Sequence, residues 1–240
     1  MSFLFFRRHA TSKHVTCRAT RHVVAGALML ALIAALAASA RAQTWVQTSG
    51  PFDPSYGCRD MAFAKTSPQV GYLCVDDTLY STTDCGLTWH IAMSMGSIYD
   101  GHVAIDEGNA NLVYAAGSSL RVSTDGGASW STRTLPPYEL RCIIARGGKL
   151  WAGTVGGSGG LYRSVDTART WSLTNTPPSV GGVGCLVTGS LPSELYGATS
   201  GASIAVIKST DAGLNWVKSD SGLSGEAAYW LTAASAPACT

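Results

Sequence analysis

The chain has 240 residues, with 17 Lys and Arg against 15 Asp and Glu and a formal net charge of +2. Residues 1–42 hold six of the basic residues and no acidic ones, so the remainder carries 11 basic and 15 acidic residues, a net charge of −4. A mildly acidic chain without a basic run or a basic amphipathic helix argues against nucleic acid and against a membrane surface as partner.

Residues 1–42 are predicted to be an export signal. Basic residues precede the apolar run Val23 to Ala38, and Ala40-Arg41-Ala42 fits a small-x-small cleavage pattern. The run is short for a membrane span, although a retained N-terminal anchor is the alternative. We therefore expect an exported protein, extracellular or periplasmic, that starts at Gln43 and has no membrane contact after cleavage.

An eight-residue pattern, S-x-D-x-G-x-T-W in its ideal form and called the box below, occurs four times after the signal. The copies occupy residues 82–89, 123–130, 164–171 and 209–216. Their aspartates and tryptophans are Asp84, Trp89, Asp125, Trp130, Asp166, Trp171, Asp211 and Trp216. The aspartates recur after 41, 41 and 45 residues. Such a period with strand-like flanks is typical of a β-propeller, in which each repeat forms one four-stranded antiparallel sheet, or blade.

Each repeat contains the same order of predicted strands. An apolar first strand precedes a second strand with an aromatic residue, and a third strand ends in the box, whose tryptophan opens the fourth strand. The first strands are predicted at Met61–Ala64, Val103–Asp106, Cys142–Ala145 and Cys185–Thr188. The second-strand aromatics are Tyr72, Tyr114, Trp151 and Tyr196. Since no helix is predicted after the signal, the fold class is all-β, with residues 43–240 as one propeller.

The two ends of residues 43–240 resemble parts of a further blade. Thr44–Thr48 matches the fourth strand at Asn215–Ser219, and Ala227–Thr240 matches a first strand. The sequence thus predicts four full blades plus part of a fifth. We expect either truncation after Thr240 or an unusual closure, because an open propeller exposes strand edges that pair with other chains.

The box residues are predicted to be structural. The aspartate can accept hydrogen bonds from backbone N–H groups across a tight hairpin, and the preceding hydroxyl can join this network. The glycine supplies φ > 0, and the tryptophan can pack between neighbouring sheets. Ala168 replaces the glycine in the third copy, which predicts a strained or shifted turn. The box lacks the further acids of a calcium loop, so neither a metal nor a cofactor is expected.

These motifs resemble the Asp-box, or BNR, repeats of sialidases, xyloglucan-type glycoside hydrolases, sortilin-like receptors and photosystem II assembly-factor-like secreted propellers. The resemblance covers Thr44 to Thr240 and implies the propeller fold, but these families share no single activity. The Arg-Ile-Pro segment of sialidases does not occur, and Arg121 and Arg163 match no arginine triad. The sequence is most similar to the assembly-factor type. The resemblance implies a non-catalytic binding or assembly module for a glycan or protein, with a glycoside hydrolase fragment as the alternative.

A candidate ligand face is formed by the links opposite the box hairpins. Aromatic residues beside charged groups suit stacking on sugar rings or holding a protein loop, although they could also be solvated loop residues. The candidate ligand-binding residues are Tyr56, Arg59, Asp60, Tyr99, Asp100, His102, Tyr138, Glu139 and Arg141. The same face is expected to include Asp76, Asp77, Glu226, Tyr229 and Trp230. Asp60, Asp100 and Glu139 could supply the two carboxyls of a glycosidase, but no catalytic residue is assigned.

Six cysteines follow the signal, and an even count in an exported chain favours disulfides over metal ligation. Antiparallel pairing of the first two strands predicts that Cys58 lies close to Cys74. Cys142 and Cys185 hold equivalent positions on neighbouring first strands, which allows a bridge between blades. Cys85 lies in a box turn, and Cys239 belongs to the predicted incomplete blade.

Overall fold

The computed structural model describes residues 57–96, 101–156, 159–178, 180–200, 204–223 and 231. These residues form sixteen strands in four sheets, and no helix occurs among them. The described residues contain no helix that is long and apolar enough to cross a membrane. The predicted signal, the predicted strand at residues 44–48 and nearly all of the predicted fifth-blade segment lie outside the described residues.

Each sheet is one blade, whose four consecutive strands pair antiparallel in the order of the sequence. Blade 1 contains β1 (Cys58–Ala64), β2 (Ser67–Val75), β3 (Thr78–Thr82) and β4 (His90–Ser94). Blade 2 contains β5 (His102–Asp106), β6 (Asn109–Ala116), β7 (Leu120–Ser123) and β8 (Ser131–Arg133). Blade 3 contains β9 (Glu139–Arg146), β10 (Lys149–Val155), β11 (Leu161–Ser164) and β12 (Ser172–Leu173). Blade 4 contains β13 (Val183–Thr188), β14 (Leu195–Thr199), β15 (Val206–Ser209) and β16 (Val217–Lys218).

This architecture confirms the all-β propeller and the predicted strand order. The third strands of blades 2 to 4 end at the serine that opens each box, and the second strands contain the predicted aromatic residues. One detail was wrong, because every fourth strand begins one residue after the box tryptophan rather than at it. The tryptophan therefore terminates the turn and leaves the fourth strand short.

Three apolar clusters join neighbouring blades. The cluster between blades 1 and 2 includes Ala64, Tyr72, Leu79, Val103 and Ile105. The cluster between blades 2 and 3 includes Tyr114, Leu120, Ile143, Leu150 and Ala168. The cluster between blades 3 and 4 includes Trp151, Leu161, Leu195, Ile207 and Trp216. Because strand side chains alternate between the two faces of a sheet, each blade contributes alternate residues to the blade before it and the blade after it.

The box turns are held by the hydrogen bonds that the sequence predicts. In blade 2 the Ser123 hydroxyl donates to Asp125 Oδ1 at 2.7 Å and accepts the N–H of Gly127 at 2.8 Å. The Ser129 N–H donates to Asp125 Oδ1 at 2.9 Å, and the Ser129 hydroxyl donates to Oδ2 at 2.6 Å. The other three boxes repeat these contacts. Each of the four carboxylates thus accepts hydrogen bonds from within its own turn.

Hydrogen bonds to the ionised form lower the pKa of all four box aspartates to about 2. The hydroxyl of the seventh box residue contributes most in the first three boxes, and the backbone N–H of Asn215 contributes most in the fourth. The hydrogen bonding of the box aspartates therefore agrees with the structural role that the sequence predicts for them.

The turn requires positive φ at two consecutive positions, of which the sequence analysis predicted only the glycine. The residue before it is also left-handed in every box, with φ of 63° at Cys85, 69° at Gly126, 57° at Thr167 and 58° at Ala212. Ala168 has φ 59°, so the strained turn predicted for the third box is confirmed. The fourth position was missed because a non-glycine residue occupies it in three of the four boxes.

The second-strand aromatic of one blade contacts the box turn of the next. The Tyr72 hydroxyl donates to the Gly126 carbonyl at 2.7 Å, and Trp151 Nε1 donates to the Ala212 carbonyl at 3.1 Å. A Cβ at Gly127 would lie 2.5 Å from Tyr72 Oη, and one at Gly213 would lie 2.1 Å from Trp151 Nε1. The box glycine therefore permits the close approach of the aromatic as well as the positive φ.

Cys58, Cys74, Cys142 and Cys185, the cysteines considered for bridges, are free thiols in the structure. In the strand register Cys58 pairs with Val75, and Cys74 pairs with Asp60 and is fully buried. Cys142 directs its Sγ toward the Val183 carbonyl at 3.8 Å.

Candidate functional site

A cleft of about 380 Å³ lies among the first strands of all four blades. Its walls come from β1, β5, β9 and β13, which are the strands of each blade that face the cleft. Since the strands of a blade alternate in direction, the first–second turns lie on the side of the box turns and the remaining links lie on the other side. The cleft therefore has one end on the box side and a second end, called the mouth, on the predicted ligand side.

The mouth is lined by Arg59, Asp60, His102 and Arg141. Asp60 Oδ2 accepts the N–H of Val103 at 3.0 Å, and His102 Nδ1 lies 3.6 Å from the same oxygen. Asp60 Oδ1 accepts the N–H of Met61 at 2.8 Å. Asp60 thus ties the start of β1 to the start of β5 and sets the spacing of blades 1 and 2 at the mouth.

The box-side end of the cleft is closed by a charged network around Glu107. The Glu107 carboxylate forms ion pairs with Lys65 of blade 1 and Arg146 of blade 3, and the Thr188 hydroxyl of blade 4 donates to it. Arg146 also donates to the Leu191 carbonyl at 2.8 Å and to the Gly189 carbonyl at 2.9 Å. One carboxylate of blade 2 therefore connects the first–second turns of all four blades.

Burial by itself would raise the pKa of Glu107, but the hydrogen bonds from Lys65, Thr188 and Arg146 lower it below its ordinary value. This network was not predicted from the sequence. A signal was present, because a charged residue ends or follows the first strand in three successive repeats, at Lys65, Glu107 and Arg146.

The side walls between the two ends are largely apolar. They include Met61 and Phe63 of β1, Ile143 and Ala145 of β9 and Val187 of β13. Apolar walls with a few polar groups at the ends are the usual composition of a binding pocket, and the cleft volume lies in the usual range.

The structure brings together four of the nine predicted ligand residues at the mouth, which are Arg59, Asp60, His102 and Arg141. Tyr138 and Glu139 do not line the cleft. Tyr138 packs against Tyr162, with ring centroids 6.4 Å apart, and Glu139 pairs with Arg141 at 2.9 Å. Tyr56, Tyr99 and Asp100 lie outside the described residues, as do Glu226, Tyr229 and Trp230. Asp76 and Asp77 form the β2–β3 turn.

The carboxylates near the mouth are engaged in structural contacts. Asp60 accepts two backbone N–H groups, and Glu139 is bound to Arg141. In the described part of the chain, no cluster of three or more His, Cys, Asp or Glu side chains could hold a metal ion. Among the described residues, Asp60 is the carboxyl that lines the mouth, and both of its oxygens accept backbone N–H groups.

The chain matches no protein-family profile and no curated protein. Among solved structures it is similar to YCF48 bound to a D1 peptide, with 23% identity and a TM-score of 0.52 over 72% of this chain and 56% of that one. YCF48 from Cyanidioschyzon merolae is 18% identical, with a TM-score of 0.53 over 70% of this chain and 57% of that one.

Enzymes of the GH74 type are also similar in structure. An ancestral GH74 enzyme is 16% identical, with a TM-score of 0.53 over 70% of this chain and 26% of that one. The GH74 xyloglucanase from Xanthomonas campestris is 18% identical, with a TM-score of 0.52 over 67% of this chain and 30% of that one. The chain thus spans just over half the length of the two YCF48 structures and under a third of these two enzymes. Both comparisons support the β-propeller fold, but at these identities they give no information about the activity of this chain.

Proposed function

We propose that the chain is an exported, non-catalytic binding module that holds an extended segment of another protein at the mouth of the cleft. The observation that carries this proposal is the engagement of Asp60. Its two oxygens accept the N–H groups of Met61 and Val103, so the carboxylate has a structural role in holding two blades together.

The composition of the cleft supports a peptide as the ligand. Arg59, His102 and Arg141 supply donors at the mouth, and Met61 and Phe63 supply exposed apolar surface along β1. An extended peptide presents backbone acceptors and alternate side chains, which suit such a mixture of donors and apolar positions. The solved structure of YCF48 with a D1 peptide is an example of a propeller with a bound peptide.

A glycan is the alternative ligand, and a glycoside hydrolase fragment is the alternative function. The GH74 likenesses favour keeping this alternative in the test, since xyloglucanases use the same fold. The two functions differ in their products, because a binding module retains its ligand unchanged and a hydrolase releases reducing sugar.

The test starts by panning a library of random twelve-residue peptides on the immobilised full chain. A selected peptide is then titrated against the wild type and against the double variant Arg59→Ala/Arg141→Ala. Both arginines are exposed, so their removal should leave the fold intact. Arg169→Ala is the matched control, because Arg169 is exposed on the box turn of blade 3 and does not line the cleft.

We expect the double variant to weaken peptide binding at least tenfold and the control to leave it unchanged. In parallel, xyloglucan and sialyllactose are incubated with the wild type, and we expect no released sugar. Release of sugar that Asp60→Asn abolishes would contradict the proposal and establish a hydrolase. A panning experiment that selects no peptide would also contradict it.

A further inference from the structure

A second groove, of about 90 Å³, lies between blades 3 and 4. Its walls come from β11, β12 and the box turn of blade 3 and from the box turn of blade 4, and it shares no lining residue with the cleft. We call it the rim groove and define it by Arg163, Val165, Leu173 and Leu214. A groove of this volume has room for a single aliphatic side chain.

The apolar residues of the rim groove are exposed, although the repeat does not require them to be apolar. Val165 is 59% exposed, Leu173 is 62% exposed and Leu214 is 52% exposed. Val165 occupies the second position of its box, where the other three boxes have threonine, at Thr83, Thr124 and Thr210. Since the box turn forms equally well with threonine there, the valine is not explained by folding. Exposed apolar side chains gathered along one groove are typical of a contact surface.

Hydrogen bonds between the blades fix the shape of the rim groove. The Asn175 N–H donates to the Leu214 carbonyl at 3.0 Å, and the Trp216 N–H donates to the Asn175 carbonyl at 2.9 Å. The Asn175 side-chain amide donates to Asn215 Oδ1 at 3.0 Å. These bonds hold the box turn of blade 4 beside the end of β12. The groove therefore exists before anything binds, which lowers the cost of ordering it on binding.

The charge of the rim groove is not balanced by the residues around it. No described residue forms an ion pair or a hydrogen bond with the Arg163 guanidinium, and its Nε is buried. The nearby Asp166 carboxylate accepts hydrogen bonds from Ser164 and Thr170 of its own turn. At the equivalent position in blade 4, Lys208 pairs with a carboxylate of its own blade at 2.6 Å. A guanidinium stays charged and binds a carboxylate through two parallel hydrogen bonds, so the rim groove fits a carboxylate beside an aliphatic group.

The outer edge of blade 3 runs along the rim groove. The sheet of blade 3 ends at β12, which pairs on one side with β11 and has no described strand on its other side. The edge of a sheet can take up an extended segment of another chain, whose backbone pairs with the edge while its side chains enter neighbouring pockets. The position of the groove therefore favours an extended protein segment as its occupant.

We infer that the rim groove is a second docking site, which binds an extended segment of a partner protein that carries an aspartate or glutamate close to an aliphatic residue. The carboxylate of the segment binds Arg163, and the aliphatic side chain packs against Leu173 and Leu214. Because the rim groove and the cleft have no residue in common, this site is independent of the ligand proposed for the mouth.

Panning of random twelve-residue peptides on the immobilised Arg59→Ala/Arg141→Ala variant tests the rim groove, since this variant lacks the two arginines of the mouth. We expect the selected peptides to carry Asp or Glu within two residues of Leu, Ile or Val. A panning experiment that selects no peptide, or peptides without this pairing, would overturn the inference whether or not the mouth binds a ligand.

One selected peptide is then titrated against the same variant and against versions with Arg163→Gln, Leu173→Thr or Ile91→Thr added. Ile91 is the matched control, because it holds the position of Leu173 in blade 1 and is 70% exposed. We expect Arg163→Gln to weaken binding at least tenfold, Leu173→Thr at least fivefold and Ile91→Thr not at all. A peptide with Gln in place of its acidic residue should bind weakly and lose nothing further in Arg163→Gln. Equal affinity for Arg163→Gln would refute the carboxylate contact, and a wild-type dimer that Leu173→Thr dissociates would show that a second copy of the chain occupies the groove instead.

Discussion

The third box turn contains an alanine that the surrounding structure disfavours. Ala168 has φ 59°, a conformation that costs a residue with a Cβ roughly 1–2 kcal/mol. The hydroxyl of Tyr114 is buried without a hydrogen-bond partner in the described part of the chain, whereas the equivalent Tyr72 hydroxyl donates to the Gly126 carbonyl. Tyr114 and Ala168 belong to the same apolar cluster. A Cβ at the equivalent Gly127 would lie 2.5 Å from Tyr72 Oη, so we expect the Ala168 methyl to keep the Tyr114 hydroxyl from the turn. We therefore predict that Ala168→Gly stabilises the fold.

The expected change in the free energy of unfolding for Ala168→Gly is the sum of four contributions. Relief of the left-handed alanine gains about 1.5 kcal/mol, and a hydrogen bond from Tyr114 gains about 1 kcal/mol. Loss of a buried methyl costs about 0.8 kcal/mol, and the greater freedom of glycine in the unfolded chain costs about 0.7 kcal/mol. The net gain is roughly 1 kcal/mol, which raises the Tm of a domain of this size by about 3 °C.

The assay is urea and thermal unfolding followed by circular dichroism. Gly127→Ala is the matched reverse change, and its Cβ would lie 2.5 Å from Tyr72 Oη. We expect Gly127→Ala to lose about 3 kcal/mol, because it adds both backbone strain and overpacking. In the same series Tyr72→Phe should cost about 1 kcal/mol and Tyr114→Phe close to none. A lower stability of Ala168→Gly, or a larger cost for Tyr114→Phe than for Tyr72→Phe, would refute the reasoning.

Two further predictions concern charge. The pKa of each box aspartate is held at about 2, below its ordinary value, so stability should be constant above about pH 5 and fall as the pH drops from there toward 2. Urea unfolding between pH 7 and pH 2 measures this, and stability that stays level down to pH 2 would contradict it. Glu107→Gln should destabilise the fold by about 2 to 3 kcal/mol, because it weakens the charged hydrogen bonds from Lys65, Arg146 and Thr188. The exposed Glu139→Gln should cost less than about 0.5 kcal/mol, and equal losses in urea unfolding would disprove the role of Glu107.

The fold could be predicted from the sequence because the box locates the strands on either side of it in every repeat. Each box aspartate marks a turn between a third and a fourth strand, and the alternation of apolar residues then sets the remaining strands. The strand register determines which residues lie opposite the cysteines. A shift of one residue places Cys58 beside Val75 instead of Cys74. Sequence spacing near a strand end cannot resolve a shift of that size.

The site was predicted only in part. Arg59, Asp60, His102 and Arg141 reach the mouth because they flank the starts of the first strands, which the repeat locates. The Glu107 network was missed because its four members come from four blades and lie far apart in the sequence. Whether four such residues meet depends on the spacing between blades, and that spacing is set by packing of the apolar clusters rather than by any local pattern.

The most direct test of the binding function is the affinity of a panned peptide for the wild type and for Arg59→Ala/Arg141→Ala. If the peptide binds at the mouth, the double variant loses at least tenfold in affinity and Arg169→Ala loses none. Equal affinity of all three proteins would place the peptide elsewhere and contradict the assignment of the mouth.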